Sequence, residues 1–274
     1  MAGAAGSSQR SDGVGFKTFG ANPRVAASPA LGELGVPRSK RLLDLALCTL
    51  TLPIWVAAMA VVSLAVMVCC GRPVFYASKR RVYRNHSIRA LKFRTMVRNA
   101  ERIANRKTIP IGAQRFLNLP QDSPLYTSLG RWIERLFLTE LPQILHVLTG
   151  KMTIIGNRPL PENVIASLKE EYPYAEDRFL VRAGMLGPVQ LVGREEIPDH
   201  LRLHLEITYC ELCLKSYKIW LDLALLAHFV LVAVRALPQS PPEEVERLMY
   251  QYAQGGLRSI LRELGNARAA RSER

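Results

Sequence analysis

The sequence predicts an α/β protein, predominantly helical, with a small membrane-associated head behind a re-entrant N-terminal membrane helix. Three observations lead there. Residues 45 to 70 form an uncharged run with basic clusters on both sides. Residues 73 to 96, "PVFYASKRRVYRNHSIRALKFRTM", alternate β-branched and aromatic residues with basic ones, as short strands or a hairpin do. From 128 onward, helical patterning returns in stretches parted by Gly and Pro.

Residues 1–39 are rich in Gly, Ala, Ser and Pro and lack an apolar core segment, which predicts a disordered tail and excludes a signal peptide. A straight helix over 45 to 70 would reach ~39 Å, past the ~30 Å hydrocarbon core of a bilayer. The flanks argue against a crossing. Arg38, Lys40 and Arg41 precede the run, and Arg72, Lys79, Arg80, Arg81 and Arg84 follow it. Basic clusters stay on the cytoplasmic side, so both ends want the same face. Pro53 removes a backbone donor, and the hydroxyls of Thr49 and Thr51 are placed to satisfy groups freed nearby. A helix-break-helix over 40–72 that dips in and returns satisfies both constraints.

After the strand segment, 98 to 106 reads as a polar helix, and 108 to 127 as a loop-rich connection holding Pro110, Pro120 and Pro124. Helices follow in "SLGRWIERLFL" and over 140 to 149, closed by Gly150. The block "RAGMLGPVQLVGREEIPDH" reads as loop and precedes a helix over 200 to 217. Residues 219 to 234 are apolar apart from Asp222 and His228 but too short to span, which predicts an interfacial or core helix. The chain from 238 to 274 reads as a tail with one short helix, "PEEVERLMYQYA", and no chemistry.

A hydrophobic content of 49% suffices for a core and excludes a disordered chain. Lys and Arg number 37 against 23 acidic residues, so the +14 balance calls for a polyanionic partner: phosphorylated substrate, anionic lipid or nucleic acid. Nucleic acid is set aside, because aromatics are only 7% and no zinc-finger or RNA-binding motif occurs. Three of the five cysteines, Cys48, Cys69 and Cys70, lie in the apolar run, which fits a reduced, cytoplasm-facing compartment. Cys210 and Cys213 form one C-x-x-C, short of the four ligands zinc needs, and read as inert helix packing.

The candidate chemistry lies in basic residues beside one acid. Lys92 and Arg94 are two apart, so in extended structure they share a face and form a two-pronged phosphate grip, with Phe93 opposite. Arg158 stands among Pro159 and Pro161, which restrict its loop. Arg182 and Arg194 bracket a Gly-rich block whose amides suit phosphate oxygens. Thr139 has the character of an N-cap, with Pro142 in the first turn, so the amides that follow favour an anion and Glu140 is ionised. Mg²⁺ between such a carboxylate and a diphosphate would offset their repulsion.

The blocks "KRLLDLALCTLTLP", "PVFYASKR", "LKFRTM", "LTELPQILHVLTGKMTIIGNRP" and "RAGMLGPVQLVGR" resemble, in order and spacing, the bacterial sugar transferase family, the monotopic polyprenyl-phosphate phosphoglycosyl transferases. The resemblance covers residues 38 to 237 and implies a re-entrant membrane helix, interfacial amphipathic helices and a compact transferase head over 73–237. It places the protein on the cytoplasmic face of the bacterial inner membrane. The activity it implies moves a sugar 1-phosphate from a nucleotide diphosphate sugar to undecaprenyl phosphate, an initiating step in exopolysaccharide or other glycoconjugate synthesis. Mg²⁺ is the implied cofactor; a homo-oligomer and association with later glycosyltransferases are both left open.

Family members carry an Asp-Glu pair whose Asp forms a phosphosugar anhydride, a role suited to a group already anionic at neutral pH. Here the pair falls on Thr139 and Glu140: the metal-binding Glu is kept and the nucleophilic Asp is not. The substrate-binding set implied by the resemblance and by the residues is Arg80, Lys92, Arg94, Arg158, Arg182, Gln190 and Arg194. Departures accompany it, with Val82 at an expected Gly, Asn157 at an expected Pro and Leu52 before Pro53 at an expected Ser. Three routes follow: Glu140 as nucleophile, direct in-line transfer, or a catalytically inactive member that serves as binding or scaffold partner of an active transferase.

Overall fold

The computed structural model describes residues 37–103, 123–192 and 197–255. The expectations for the tail before 37, the connection up to 122, Arg194 and the chain after 255 lie outside the described residues. The apolar run folds as two helices, α1 (Arg38–Leu50) and α2 (Leu52–Cys70), parted at Thr51. Pro53 falls in the first turn of α2, where its missing amide leaves no helical bond unmade. Thr51 closes both sides of the break. Its amide and hydroxyl donate to the Leu47 carbonyl at 3.0 and 2.7 Å, and its carbonyl accepts from Ile54 and Trp55.

Each helix has one stripe turned to the head. On α1 it is polar, Lys40, Asp44 and Cys48; on α2 it is Trp55, Val62 and Val66. The opposite side of α2 is bare apolar surface, with Ile54 72%, Val61 67% and Val68 74% exposed. Among the described residues, α2 is the one helix long and apolar enough to cross a membrane.

The head starts with the predicted hairpin. β1 (Phe75–Tyr83) pairs antiparallel with β2 (His86–Phe93), from Phe75↔Phe93 to Tyr83↔His86. Helix α3 (Ala100–Ile103) is the described part of the expected polar helix. Helix α4 (Ser128–Arg135) is capped by the Thr127 hydroxyl, which accepts from the Gly130 amide at 2.9 Å. A 3-10 turn, Leu141–Gln143, runs into α5 (Ile144–Leu148), and the Gly150 turn, at φ 74°, leads to β3 (Thr153–Ile155).

Then come α6 (Glu162–Glu171), a 3-10 segment at Ala175–Phe179, β4 (Gly184–Leu186) and α7 (Val189–Val192). β4 runs parallel to β3, so the block expected to be loop-rich also holds a short strand and a short helix. Strands of three residues carry no readable alternation. The glycines there serve close packing: a Cβ on Gly184 would stand 2.2 Å from the Gly156 nitrogen.

The core gathers on α8 (Asp199–Lys215), α9 (Ile219–Ala233) and α10 (Pro242–Gln254), around Tyr209, Leu221, Leu225, Val245 and Met249. The helix expected in "PEEVERLMYQYA" is α10, and it belongs to the core, since Val245 and Met249 are fully buried. Cys210 and Cys213 are free and buried on α8, and burial pushes the Cys210 thiol up to about 12, which suits inert packing.

Asp222, in the apolar face of α9, pairs with Lys40 of α1 at 2.5 Å and accepts from the hydroxyls of Tyr209 and Tyr217 at 2.7 and 2.9 Å. Removing one member of a buried pair strands the other's charge. Lys40→Met is expected to cost roughly 3–5 kcal/mol, and Lys40→Met with Asp222→Leu to recover part of it, in denaturant unfolding of the detergent-solubilised chain.

Candidate functional site

Lys92, Glu140 and Arg158 converge from three segments. Lys92 Nζ donates to Glu140 Oε1 at 2.7 Å, and Arg158 Nη2 donates to the same oxygen. Arg158 Nη1 also reaches the Met185 carbonyl at 3.4 Å. Burial by itself would raise the Glu140 pKa; the adjacent Arg158 and Lys92 outweigh it and hold the carboxyl down at about 2. The Lys92 amine is lowered, first by burial and then by Arg158 and Arg80, with Glu140 opposing. The site is a fixed anion held by two cations with charge to spare.

Local bonds bring the pieces together. The Phe93 amide donates to the Thr139 carbonyl at 2.9 Å, so the end of β2 meets the turn that carries Glu140. His146 of α5 accepts from the Leu91 amide through Nε2 at 3.3 Å. Burial and then Lys151 lower its pKa, which keeps that nitrogen an acceptor.

The Arg158 loop is fixed from beneath. Asn157 Nδ2 donates to the Arg178 and Glu206 carbonyls at 3.0 and 2.8 Å. Arg178, itself buried, donates to both Glu206 carboxylate oxygens at 2.6 and 2.5 Å and to the Arg158 carbonyl at 3.1 Å. Hydrogen bonds thus supply the restraint that a proline ring would give at 157. Sequence reasoning missed Arg178 and Glu206. The available signal was an acid inside the apolar stretch "LHLEITYC", since a buried carboxylate requires a partner.

Several expectations need correction. Glu140, not Thr139, is the residue that flanks the helical turn, and its carboxylate faces the cations instead of capping. The buried Thr139 hydroxyl has no hydrogen-bond partner among the described residues, so nothing there draws off its proton. Arg94 is not the second prong beside Lys92. Its guanidinium is spent on the carbonyls of Cys70, Gly71 and Arg72 at the C-terminal end of α2, where a cation complements the helix dipole.

Arg182 lies over the Tyr83 ring at 5.4 Å. The Gly-rich block is not an open cradle: the Gly184 amide donates to the Asn157 carbonyl, and the Gly187 amide to Gln190 Oε1 at 2.7 Å. Gln190 therefore closes a turn packed on the 156–158 loop. Arg80 bonds Ser78 at 3.1 Å and lies close enough to depress Lys92. No three His, Cys, Asp or Glu side chains among the described residues group as metal ligands.

A head that sets two cations on one carboxylate, joined to a helix pair whose second member is long and apolar enough to cross a membrane, is the class that fold and site define. The chain matches the bacterial sugar transferase family over residues 36–236 and belongs to that family. It is 30% identical over 182 residues to the exopolysaccharide production protein ExoY of Sinorhizobium fredii, covering 63% of this chain and 77% of that one. It is 29% identical over 185 residues to the UDP-N-acetylgalactosamine-undecaprenyl-phosphate N-acetylgalactosaminephosphotransferase of Aeromonas hydrophila, covering 67% and 40%. With the undecaprenyl-phosphate glucose phosphotransferase of Komagataeibacter xylinus it shares 30% identity over 196 residues, 68% and 34%. The match thus spans less than half the length of the last two relatives.

Because the Glu140 pKa is depressed on folding, its ion pairs stabilise fully above the ordinary value near 4.5, and that stabilisation is lost as pH falls through about 2. Glu140→Gln is expected to unfold more easily than the native chain at pH 7. The gap should close as pH approaches 2 in denaturant titrations run at each pH.

Proposed function

We propose that the chain is a phosphoglycosyl transferase that moves a sugar 1-phosphate from a nucleotide diphosphate sugar to undecaprenyl phosphate at the cytoplasmic face of the bacterial inner membrane. The step initiates exopolysaccharide or other glycoconjugate synthesis. The observation that carries this reading is the junction of Lys92 and Arg158 on Glu140. Phosphoryl transfer is helped mainly by holding two anions in line and neutralising their charge, which two cations on separate elements suit.

The buried Thr139 hydroxyl does not weigh against transfer by itself. A polyprenyl phosphate oxygen is already anionic at neutral pH, so it can attack the β-phosphorus directly. The bond from that phosphorus to the bridging oxygen breaks, and the nucleoside monophosphate leaves with the electron pair. Lys92 and Arg158 would hold the phosphate oxygens in this arrangement. Glu140 suits a magnesium ion as well, because both cations address Oε1 and Oε2 lies outside those bonds. Such an ion would supply charge neutralisation.

Membrane seating has its own support. Lys40 and Arg41 fasten the start of α1 to the head, and Arg94 fastens the end of α2 to the same head. Between these ends the Trp55, Val62 and Val66 stripe stays packed on it. Both ends on one body fit a pair that returns to the side it starts from, with the outer face of α2 turned to the bilayer.

The test is release of nucleoside monophosphate by the chain in nanodiscs, given a panel of UDP-sugars, undecaprenyl phosphate and Mg²⁺. Glu140→Gln is expected to lower turnover at least about a hundredfold; unchanged turnover would remove Glu140 from the site. A silent native chain whose Thr139→Asp variant turns over would instead mark a binding or scaffold partner.

A further inference from the structure

Glu140 and Arg158 are the two ends of one helix–turn–strand unit, made of the 3-10 turn, α5, the Gly150 turn and β3. Helix α1 grips that unit in its middle, on both limbs. Arg41 Nη1 and Nη2 donate to the carbonyls of Val147 and Leu148 at 2.5 and 2.7 Å, at the far end of the helix that begins beside Glu140. Lys40 Nζ donates to the Ile155 carbonyl at 2.8 Å, three residues before Arg158. One turn further along α1, Asp44 accepts from the Thr153 hydroxyl at 2.7 Å and from the Ile154 amide at 3.0 Å.

The third member of the site is tied to the other end of the same helix pair. Arg94, two residues after Lys92, holds the carbonyls that close α2. These bonds are directional, so they set the register of each limb along the helix pair, where apolar contacts alone would allow sliding.

We propose that Arg41, with Lys40 and Asp44, is a positioning residue: α1 splints the 140–158 unit, so that the seating of the membrane helix pair sets the meeting of Lys92, Glu140 and Arg158. This rests on the transfer reading only for its consequence in turnover. Misplacing a reacting group by about 1 Å costs on the order of a hundredfold in rate, so a splint remote from the charges governs turnover without touching substrate.

The experiment is zero-length carbodiimide cross-linking of the full chain in nanodiscs, read by peptide mass spectrometry. Lys92 and Glu140 are in contact at 2.7 Å and partly exposed, so they should couple; Lys169 and Glu176, at 3.2 Å on another part of the head, serve as control. Arg41→Ala is expected to lose the Lys92–Glu140 product and keep the Lys169–Glu176 product. Arg41→Lys, which can reach one carbonyl, should retain part of it.

In the monophosphate assay, Arg41→Ala should lower kcat by roughly tenfold while KM moves less than about threefold, with partial rescue by Arg41→Lys. An Arg41→Ala chain that keeps both products overturns the proposal. If that variant loses both products, Arg41→Lys decides: a reduced Lys92–Glu140 product with the control intact supports the splint, and any other result overturns it. A native chain that cross-links as described but releases no monophosphate defeats the transfer reading and leaves the splint standing.

Discussion

A carboxylate leaves water only if the charge it loses contact with is replaced, and Glu140 meets that condition through two cations on one oxygen. Much of the local architecture follows. Lys92 comes from the end of a hairpin and Arg158 from a loop after a parallel strand, so a hairpin, a helical turn and a strand pair must meet at one point. The Phe93–Thr139 main-chain bond and the His146–Leu91 bond secure the first junction. Arg178, Glu206 and Asn157 secure the second. A positive balance remains after Glu140 is counted, and the proposed grip on phosphate draws on it.

The helix pair obeys a related constraint with the polarity reversed. Helix α1 turns Lys40 and Asp44 inward, where each finds a partner in the head, and α2 turns its bulk of apolar side chains outward. Exposed to water that outer surface would be a liability, and against a bilayer it would serve as the proposed anchor. The helix pair and the site share their fastening points, because the residues that seat α1 also hold the strand leading to Arg158.

Thr139 shows why residue type and position must be weighed together. The Thr where the resemblance leads one to expect an Asp is a small polar side chain at the turn, but its hydroxyl is enclosed and has no hydrogen-bond partner among the described residues. The two cations on Glu140 are in place nonetheless, and in the proposed transfer the lipid phosphate would bring its own negative charge. Under that proposal, turnover would depend on how well two anions are held, more than on the side chain at 139.

The sequence by itself determined the helix pair, its break near Pro53, the hairpin, the larger helices and the identity of Lys92, Glu140 and Arg158, because long apolar runs, alternation and charge beside Gly or Pro are local properties. It could not show that Arg94 is spent on the end of α2 or that Gln190 closes a turn. Nor could it show that β4 exists, or that α10 completes the core. Those outcomes depend on which distant carbonyl or apolar face a side chain meets once the chain is compact. The pairing of Lys40 with Asp222 across 182 positions is the plainest case. Neither charge could be placed from its neighbours in sequence, since only the packed interior brings the two together with the tyrosine hydroxyls and the Ile155 carbonyl that complete their bonding.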